Sequence, residues 1–439
     1  MRLVVIAGLT LLGAFAGCRC NETPGAADAS ITSSDGGSRL TAEVLPRCRP
    51  EGSALPIAGE DVVVGESVAK ADALLVGVVR RQADKRTATV LRTAPDLASP
   101  AYVDLGPARG DEPPPFPFVG GGAERVAYYG RSGDAGTGGR TLFVARLENK
   151  NAVVETTVPQ ESDDSFALSI AWPDGGAREN AMLAWDEDAP LLAQQLVADR
   201  GVIKIRSLAD NAKARVVSPD TSDADSPRLL LRKGGFWLAW LARKIDRTDA
   251  GPALEGAGEW RAYHWVEIVA LDAHGEVASP VRRVSPETGH ASAFELSQGE
   301  GKDASQVTVF VQDEAARGEG SGSRFVRYTV SADRVDGTEL VDGGIGEAIV
   351  ALLSVPDASA PRWLAWTDLR ERAHLAPFGP LVTLSAPPSL EPSFDRTRLL
   401  AASTTDTIYA VTSARAKGGQ PGPAEIRRFS CAELVTPHR

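Results

Sequence analysis

Met182-Leu183-Ala184-Trp185, Trp237-Leu238-Ala239-Trp240 and Trp363-Leu364-Ala365-Trp366 repeat one apolar core, Leu-Ala-Trp, three times in a single chain. Weaker relatives stand at similar spacing: Leu75-Val76-Gly77-Val78-Val79, Val126-Ala127-Tyr128-Tyr129, Val307-Thr308-Val309-Phe310-Val311 and Ile408-Tyr409-Ala410-Val411. Centred on Gly77, Tyr128, Ala184, Ala239, Phe310, Ala365 and Ala410, seven units follow at steps of 51, 56, 55, 71, 55 and 45 residues. Four short strands with their turns need about 40 to 50 residues, so each step fits one propeller blade with generous loops. The long step contains Asp246 to Pro252 and Gly256-Ala257-Gly258, which read as a loop insertion.

The parts recur in one order within a unit. In the fifth, Ser292–Leu296, Val307–Val311, Phe325–Val330 and Thr338–Val341 read as four strands separated by Gly-rich punctuation. In the fourth, Leu229–Leu231, the Trp strand, His264–Leu271 and Val281–Val284 do the same, with a turn at Ala273-His274-Gly275. The Leu-Ala-Trp strands are apolar on both faces, as strands packed between neighbouring blades must be. The third strands carry charge, as at Arg324, Arg327, Arg427 and Arg428, and belong nearer the rim. The expectation is an all-β protein, a β-propeller of seven blades with four antiparallel strands each, spanning residues 47–439. About 390 residues exceed a usual single core unless the architecture is a repeat one.

Ahead of the propeller, Met1 and Arg2 precede an apolar run, Leu3 to Phe15, interrupted only by Thr10. Thirteen residues suit a signal-peptide core and fall short of the roughly 20 that cross a bilayer. The run ends in Phe15-Ala16-Gly17-Cys18, which resembles the lipobox of bacterial lipoproteins. That resemblance implies cleavage after residue 17, thioether lipidation of Cys18 and acylation, for example by palmitate, of the new amino terminus. It also implies a cell-envelope location, a lipid anchor in the outer membrane and the membrane as a partner. An ordinary secretory signal is the alternative. Residues 18–46, rich in Gly, Ala, Ser, Thr and Asp, cannot bury enough apolar surface to fold and read as a flexible tether.

Export would place the other cysteines, Cys20, Cys48 and Cys431, where disulfides persist. Cys48 and Cys431 stand at the two ends of the folded region, so a bond between them would tie the first blade to the last. Cys20 with Cys48 is the competing pair.

The formal net charge of −11 argues against nucleic acid and against adsorption to anionic headgroups. Trp185, Trp240 and Trp366 recur at fixed blade positions and read as core. Trp260 and Trp265 fall outside that pattern, beside the insertion, and are the candidates for a ligand-binding edge. Asp186-Glu187-Asp188 lacks calcium-loop spacing and reads as a solvated turn. The five histidines share no metal-ligand spacing, and neither a metal nor a cofactor is expected. Gly133 to Gly139, Gly318 to Gly322 and Gly418 to Gly422 each run into a strand, so they read as hairpin loops and not as phosphate cradles. No Gly-x-Ser-x-Gly elbow occurs, and no catalytic residues are assigned. The chain therefore reads as a lipoprotein whose propeller binds or scaffolds a protein, peptide or glycan. The alternative is an envelope enzyme acting on polysaccharide with carboxylates brought together from several blades.

Overall fold

The structure is a computed structural model. It describes Cys48 to Ser430 apart from 110–111, 132–138, 163–166, 174, 190–199, 245–262, 299–305, 315–322, 332–333, 346–350, 354–361, 368–372, 379–395, 400–406 and 416–420. Cys18, Cys20, Cys431, Trp260 and the signal and tether segments lie outside the described residues.

The described residues form seven antiparallel sheets, six of four strands and one of three. Blade 1 is Glu60–Ala69, Leu74–Gln82, Lys85–Thr93 and Ala101–Pro107, and blade 2 is Phe116–Gly120, Ala123–Arg131, Arg140–Glu148 and Asn151–Pro159. Blade 3 is Leu168–Ala171, Met182–Ala189, Arg200–Ser207 and Arg215–Val216. Blade 4 is Ser222–Arg232, Gly235–Lys244, Trp265–Asp272 and Arg282–Arg283. Blade 5 is Ala291–Gln298, Val307–Glu314, Ser323–Val330 and Val335–Ile345, and blade 6 is Ala351–Leu353, Arg362–Thr367 and Ala373–Phe378. Blade 7 takes Arg396–Leu399, Thr407–Arg415 and Pro421–Ser430 from the end of the chain and Arg49–Pro56 from its start. The seven-bladed propeller expected from the repeat is what the chain forms, and all seven centres lie in second strands.

The ring closes through the sheet itself. Arg49 pairs with Ser430 and Pro56 with Glu425, so the first described strand is the outermost strand of the last blade. Because strands of blade 7 come from both ends of the chain, opening the ring means breaking a hydrogen-bonded ladder.

The core lies between blades, and strand alternation builds it. In Leu74–Gln82, Leu74, Val76 and Val78 face blade 7 with Tyr409, Val411 and Ile426. Leu75, one step out of phase, faces blade 2 with Val126, Tyr128 and Ala145. In Met182–Ala189, Leu183 and Trp185 face blade 2, whereas Met182 and Ala184 face blade 4 with Phe236, Leu238 and Trp240. Second strands thus need apolar residues on both faces, which is why the Leu-Ala-Trp runs recur. Trp185 and Trp240 are fully buried, as expected; Trp366 lies in the second strand of blade 6.

Two expectations require correction. Asp186 and Glu187 are not in a solvated turn: Met182–Ala189 continues through them, and both are buried. Their charges are met by neighbours. Asp186 accepts from the Ala167 amide at 2.9 Å. Glu187 accepts from the Trp185 indole at 3.0 Å and the Ser162 amide at 2.8 Å, and pairs with Lys204 at 3.1 Å. Trp265, expected at a binding edge, opens the third strand of blade 4 and is 3% exposed. Its phase with Val269 and Leu271 turns it toward blade 3, and its indole donates to Glu267 at 3.1 Å.

Candidate functional site

First strands are the innermost. Glu60–Ala69 contacts Phe116–Gly120, Leu168–Ala171 contacts Ser222–Arg232, and Ser222–Arg232 contacts Ala291–Gln298. One bond of this inner wall joins blades 3 and 4, the Leu229 amide donating to Ser169 Oγ at 2.9 Å.

Three charged side chains converge at this wall. Arg228 of blade 4 donates through Nε to Glu295 Oε1 of blade 5 at 3.0 Å. Glu66 of blade 1 stands near enough for its charge to act on both. In a seven-membered ring, blade 1 meets blades 4 and 5 only across the axis, so these residues mark the channel. The Arg228 and Glu295 side chains are 30% and 23% exposed, which places them in a recess that water reaches.

Local backbone irregularity aims two of them. Val64 pairs with Val78 and Ser67 with Val76, so Gly65 and Glu66 together face Gly77 in a bulge. Both glycines are required there, because a Cβ on Gly65 would overlap Pro114 and one on Gly77 would overlap the Pro115 carbonyl. The Pro113-Pro114-Pro115 link thus backs the bulge that carries Glu66. In blade 4, Asp225 pairs with Leu241 and Arg228 with Ala239, leaving Ser226 and Pro227 opposite Trp240. Ser226 sits at φ 54, a left-handed conformation costing about 1 kcal/mol in a non-glycine residue. Its hydroxyl donates to Asp225 Oδ1 at 2.7 Å, and Tyr263 donates to Asp225 Oδ2 at 3.0 Å.

The electrostatics follow from the recess. Burial and the charge of Glu66 push the Glu295 carboxyl above the ordinary carboxylate range against the pull of Arg228. Burial opposes charge on Arg228, but Glu295 and Glu66 outweigh it and raise its value, so it stays a cation. Burial, reinforced by Asp225, pushes the Tyr263 phenol far up, leaving it a neutral donor. The trio carries one positive and up to two negative charges, and it offers hydrogen-bonding groups to amines and hydroxyls.

None of these three residues stands out in the sequence, since each is one charge in a different first strand. Of the sites expected from sequence, Trp265 belongs to the core between blades 3 and 4, and Cys48 is buried beside the strand that closes the ring. Among the described residues no cluster of three or more His, Cys, Asp or Glu side chains is placed to hold a metal ion, and no helix is long and apolar enough to cross a membrane.

No protein-family model and no curated protein matches this chain. Solved structures that it resembles include the acylaminoacyl peptidase of Pyrococcus horikoshii, 8% identical over 84% of this chain and 51% of that one, with a TM-score of 0.48. This chain spans about half the length of that peptidase. Another is the β-propeller domain of the trilobed protease from Pyrococcus furiosus, 8% identical over 87% of this chain and 100% of that one, TM-score 0.45. A third is the GH93 α-L-arabinofuranosidase of Fusarium graminearum, 9% identical over 89% of this chain and 99% of that one, TM-score 0.41. Identities of this size concern fold and not chemistry; the chain is a seven-bladed β-propeller.

Proposed function

We propose that this chain is an exported lipoprotein, anchored through Cys18 in the bacterial cell envelope, whose propeller binds a peptide or glycan segment at the axial channel. The channel trio Glu66, Arg228 and Glu295 carries the reading. Three blades place charged groups in one recess, where a stability role alone would be served better by apolar contacts. Its carboxylates and guanidinium suit ligands rich in amino and hydroxyl groups. The lipobox-like Phe15-Ala16-Gly17-Cys18 and the polar stretch to residue 46 support a tethered display of that channel.

We also propose the Cys48–Cys431 disulfide as the covalent seal of the ring. Cys48 is fully buried and directly precedes Arg49, which pairs with Ser430, the residue before Cys431 in the sequence.

The test of ligand binding is a peptide and glycan array probed with the purified protein and with Arg228→Gln and Glu66→Gln. The proposal expects ligands that both substitutions weaken. Ligands bound equally by all three proteins, or none bound at all, would count against it. A second reading, polysaccharide cleavage, is favoured by one feature: burial and the neighbouring Glu66 push the Glu295 carboxyl above the ordinary carboxylate range, the direction that an acid–base pair of carboxylates uses. Its ion pair with Arg228 ranks binding ahead of cleavage. Shortened products from an array glycan, lost in Glu295→Gln, would reverse that ranking.

A further inference from the structure

At the seam between blades 4 and 5, two histidines from different blades meet. His264 stands immediately before the third strand of blade 4, and His290 ends the link that enters the first strand of blade 5. Their imidazole rings lie 5.7 Å apart between centroids, with 65° between planes. Spacing along the chain hides the pair, because only the packing of one blade on the next brings the two positions together. Both side chains are half-buried, so water and dissolved ions reach them. Neither imidazole makes a hydrogen bond to the described residues; the bonds at these two positions are made by the backbone.

Those backbone bonds hold the rings in place. The His264 amide donates to the Ala242 carbonyl at 3.0 Å, and the His264 carbonyl accepts from the Ala291 amide at 3.3 Å, tying blade 4 to blade 5 beside the pair. The His290 amide donates to Oδ1 of the buried Asp313 at 2.7 Å. Gly289 permits the close approach, since a Cβ there would stand 2.9 Å from the His264 carbonyl oxygen. Two imidazoles fixed next to each other before a ligand arrives avoid the entropy cost of being brought together.

The separation suits a shared metal ion. Imidazole nitrogens about 2.0 to 2.1 Å from one ion, at a roughly tetrahedral angle, put the ring centres about 5 to 6 Å apart. Each ring can turn about its Cβ–Cγ bond to present either nitrogen. Of the charged groups that act on His264, Glu287 attracts a cation and Arg243 repels it, so ligand chemistry and not charge selects the ion. Imidazole suits copper, nickel and zinc, whereas calcium and magnesium take oxygen ligands.

We propose that His264 and His290 form a two-histidine site for a divalent transition-metal ion, held more tightly as Cu²⁺ than as Zn²⁺, with water completing its coordination.

The test is titration of the purified protein, freed of metal by dialysis against a chelator, with Cu²⁺ and separately with Zn²⁺. It is repeated with His264→Gln, His290→Gln and, as a control on a solvent-exposed histidine, His274→Gln. The Trp265 ring centre lies 6.0 Å from that of His264, so copper on the pair is expected to quench tryptophan fluorescence saturably. The electron paramagnetic resonance spectrum of the copper form is expected to show two coupled nitrogens. Either pair substitution should weaken Cu²⁺ binding about tenfold or more and remove one nitrogen, whereas His274→Gln should bind like the parent. If a pair variant fails to fold, the nitrogen count of the parent and the other variant still decide. The proposal is overturned by absence of saturable Cu²⁺ binding, by fewer than two nitrogens in the parent, or by binding that either pair substitution leaves intact. It is equally overturned by Zn²⁺ binding more tightly than Cu²⁺, or by loss of the ion in His274→Gln, which would seat it elsewhere.

Discussion

Removing the Glu267 carboxylate should destabilise the propeller by about 3 to 4 kcal/mol, because one acid serves two buried tryptophans. Trp240 donates through Nε1 to Glu267 Oε2 at 2.9 Å, and Trp265 donates to Oε1 at 3.1 Å. Ser222 Oγ adds a longer bond at 3.3 Å. Trp240 and Glu267 face each other in the ladder of blade 4, so the acid lies where the indole of the Leu-Ala-Trp strand needs an acceptor. In Glu267→Ala both indole N–H groups are left buried without a partner, at about 1 to 3 kcal/mol each, and a small void adds to the loss. The relief of no longer burying a charge subtracts from it, leaving the net figure above. Glu267→Gln keeps one carbonyl oxygen and can satisfy one indole, so about half the loss is expected. Urea unfolding of the three proteins, followed by tryptophan fluorescence, measures both numbers. An alanine variant within about 1 kcal/mol of the parent, or a glutamine variant as damaged as alanine, would refute the shared-acceptor reasoning.

Other predictions concern the seams between blades. Glu124 of blade 2 takes Arg92 at 3.0 Å and Lys70 at 2.9 Å, both from blade 1. Burial pushes its carboxyl up, but those two bonds outweigh burial and hold it below its ordinary 4.5. A depressed carboxylate stabilises the fold above its unfolded value and loses that contribution as the pH falls through the folded one. Acid titration of stability should therefore fall below about pH 4.5 and be flatter in Glu124→Gln; identical slopes would contradict this. Burial, His290 and Arg243 hold His264 below its ordinary 6.5 despite the opposing Glu287, so its neutral form adds stability above about pH 6.5 that is lost on acidification. An NMR titration midpoint for His264 at or above 6.5 would refute that. For the proposed ring seal, peptide mapping without reductant should find the Cys48 peptide joined to that of Cys431, and Cys48→Ser should cost up to about 5 kcal/mol. A Cys20–Cys48 peptide would reassign the bond.

The repeat was legible because it answers to one physical demand, apolar side chains on both faces of every second strand. Gly77, Tyr128, Ala184, Ala239, Phe310, Ala365 and Ala410 all meet it. Trp265 was misread as an exception, although the alternation from 265 to 271 already placed it in phase with Val269 and Leu271. Asp186 and Glu187 were misread because charge on a strand end suggests solvent. The countersign was Lys204, a lone base between Ile203 and Ile205. The channel was not legible, since Glu66, Arg228 and Glu295 meet only when blades 1, 4 and 5 close around an axis.

The central claim, a propeller held by lipid on Cys18, is tested most directly by metabolic labelling with palmitate of the parent chain and Cys18→Ala, read together with membrane fractionation. The account predicts label on the parent and its recovery with membranes, and an unlabelled Cys18→Ala chain. An unlabelled parent chain, free of membranes in the periplasm, would contradict it.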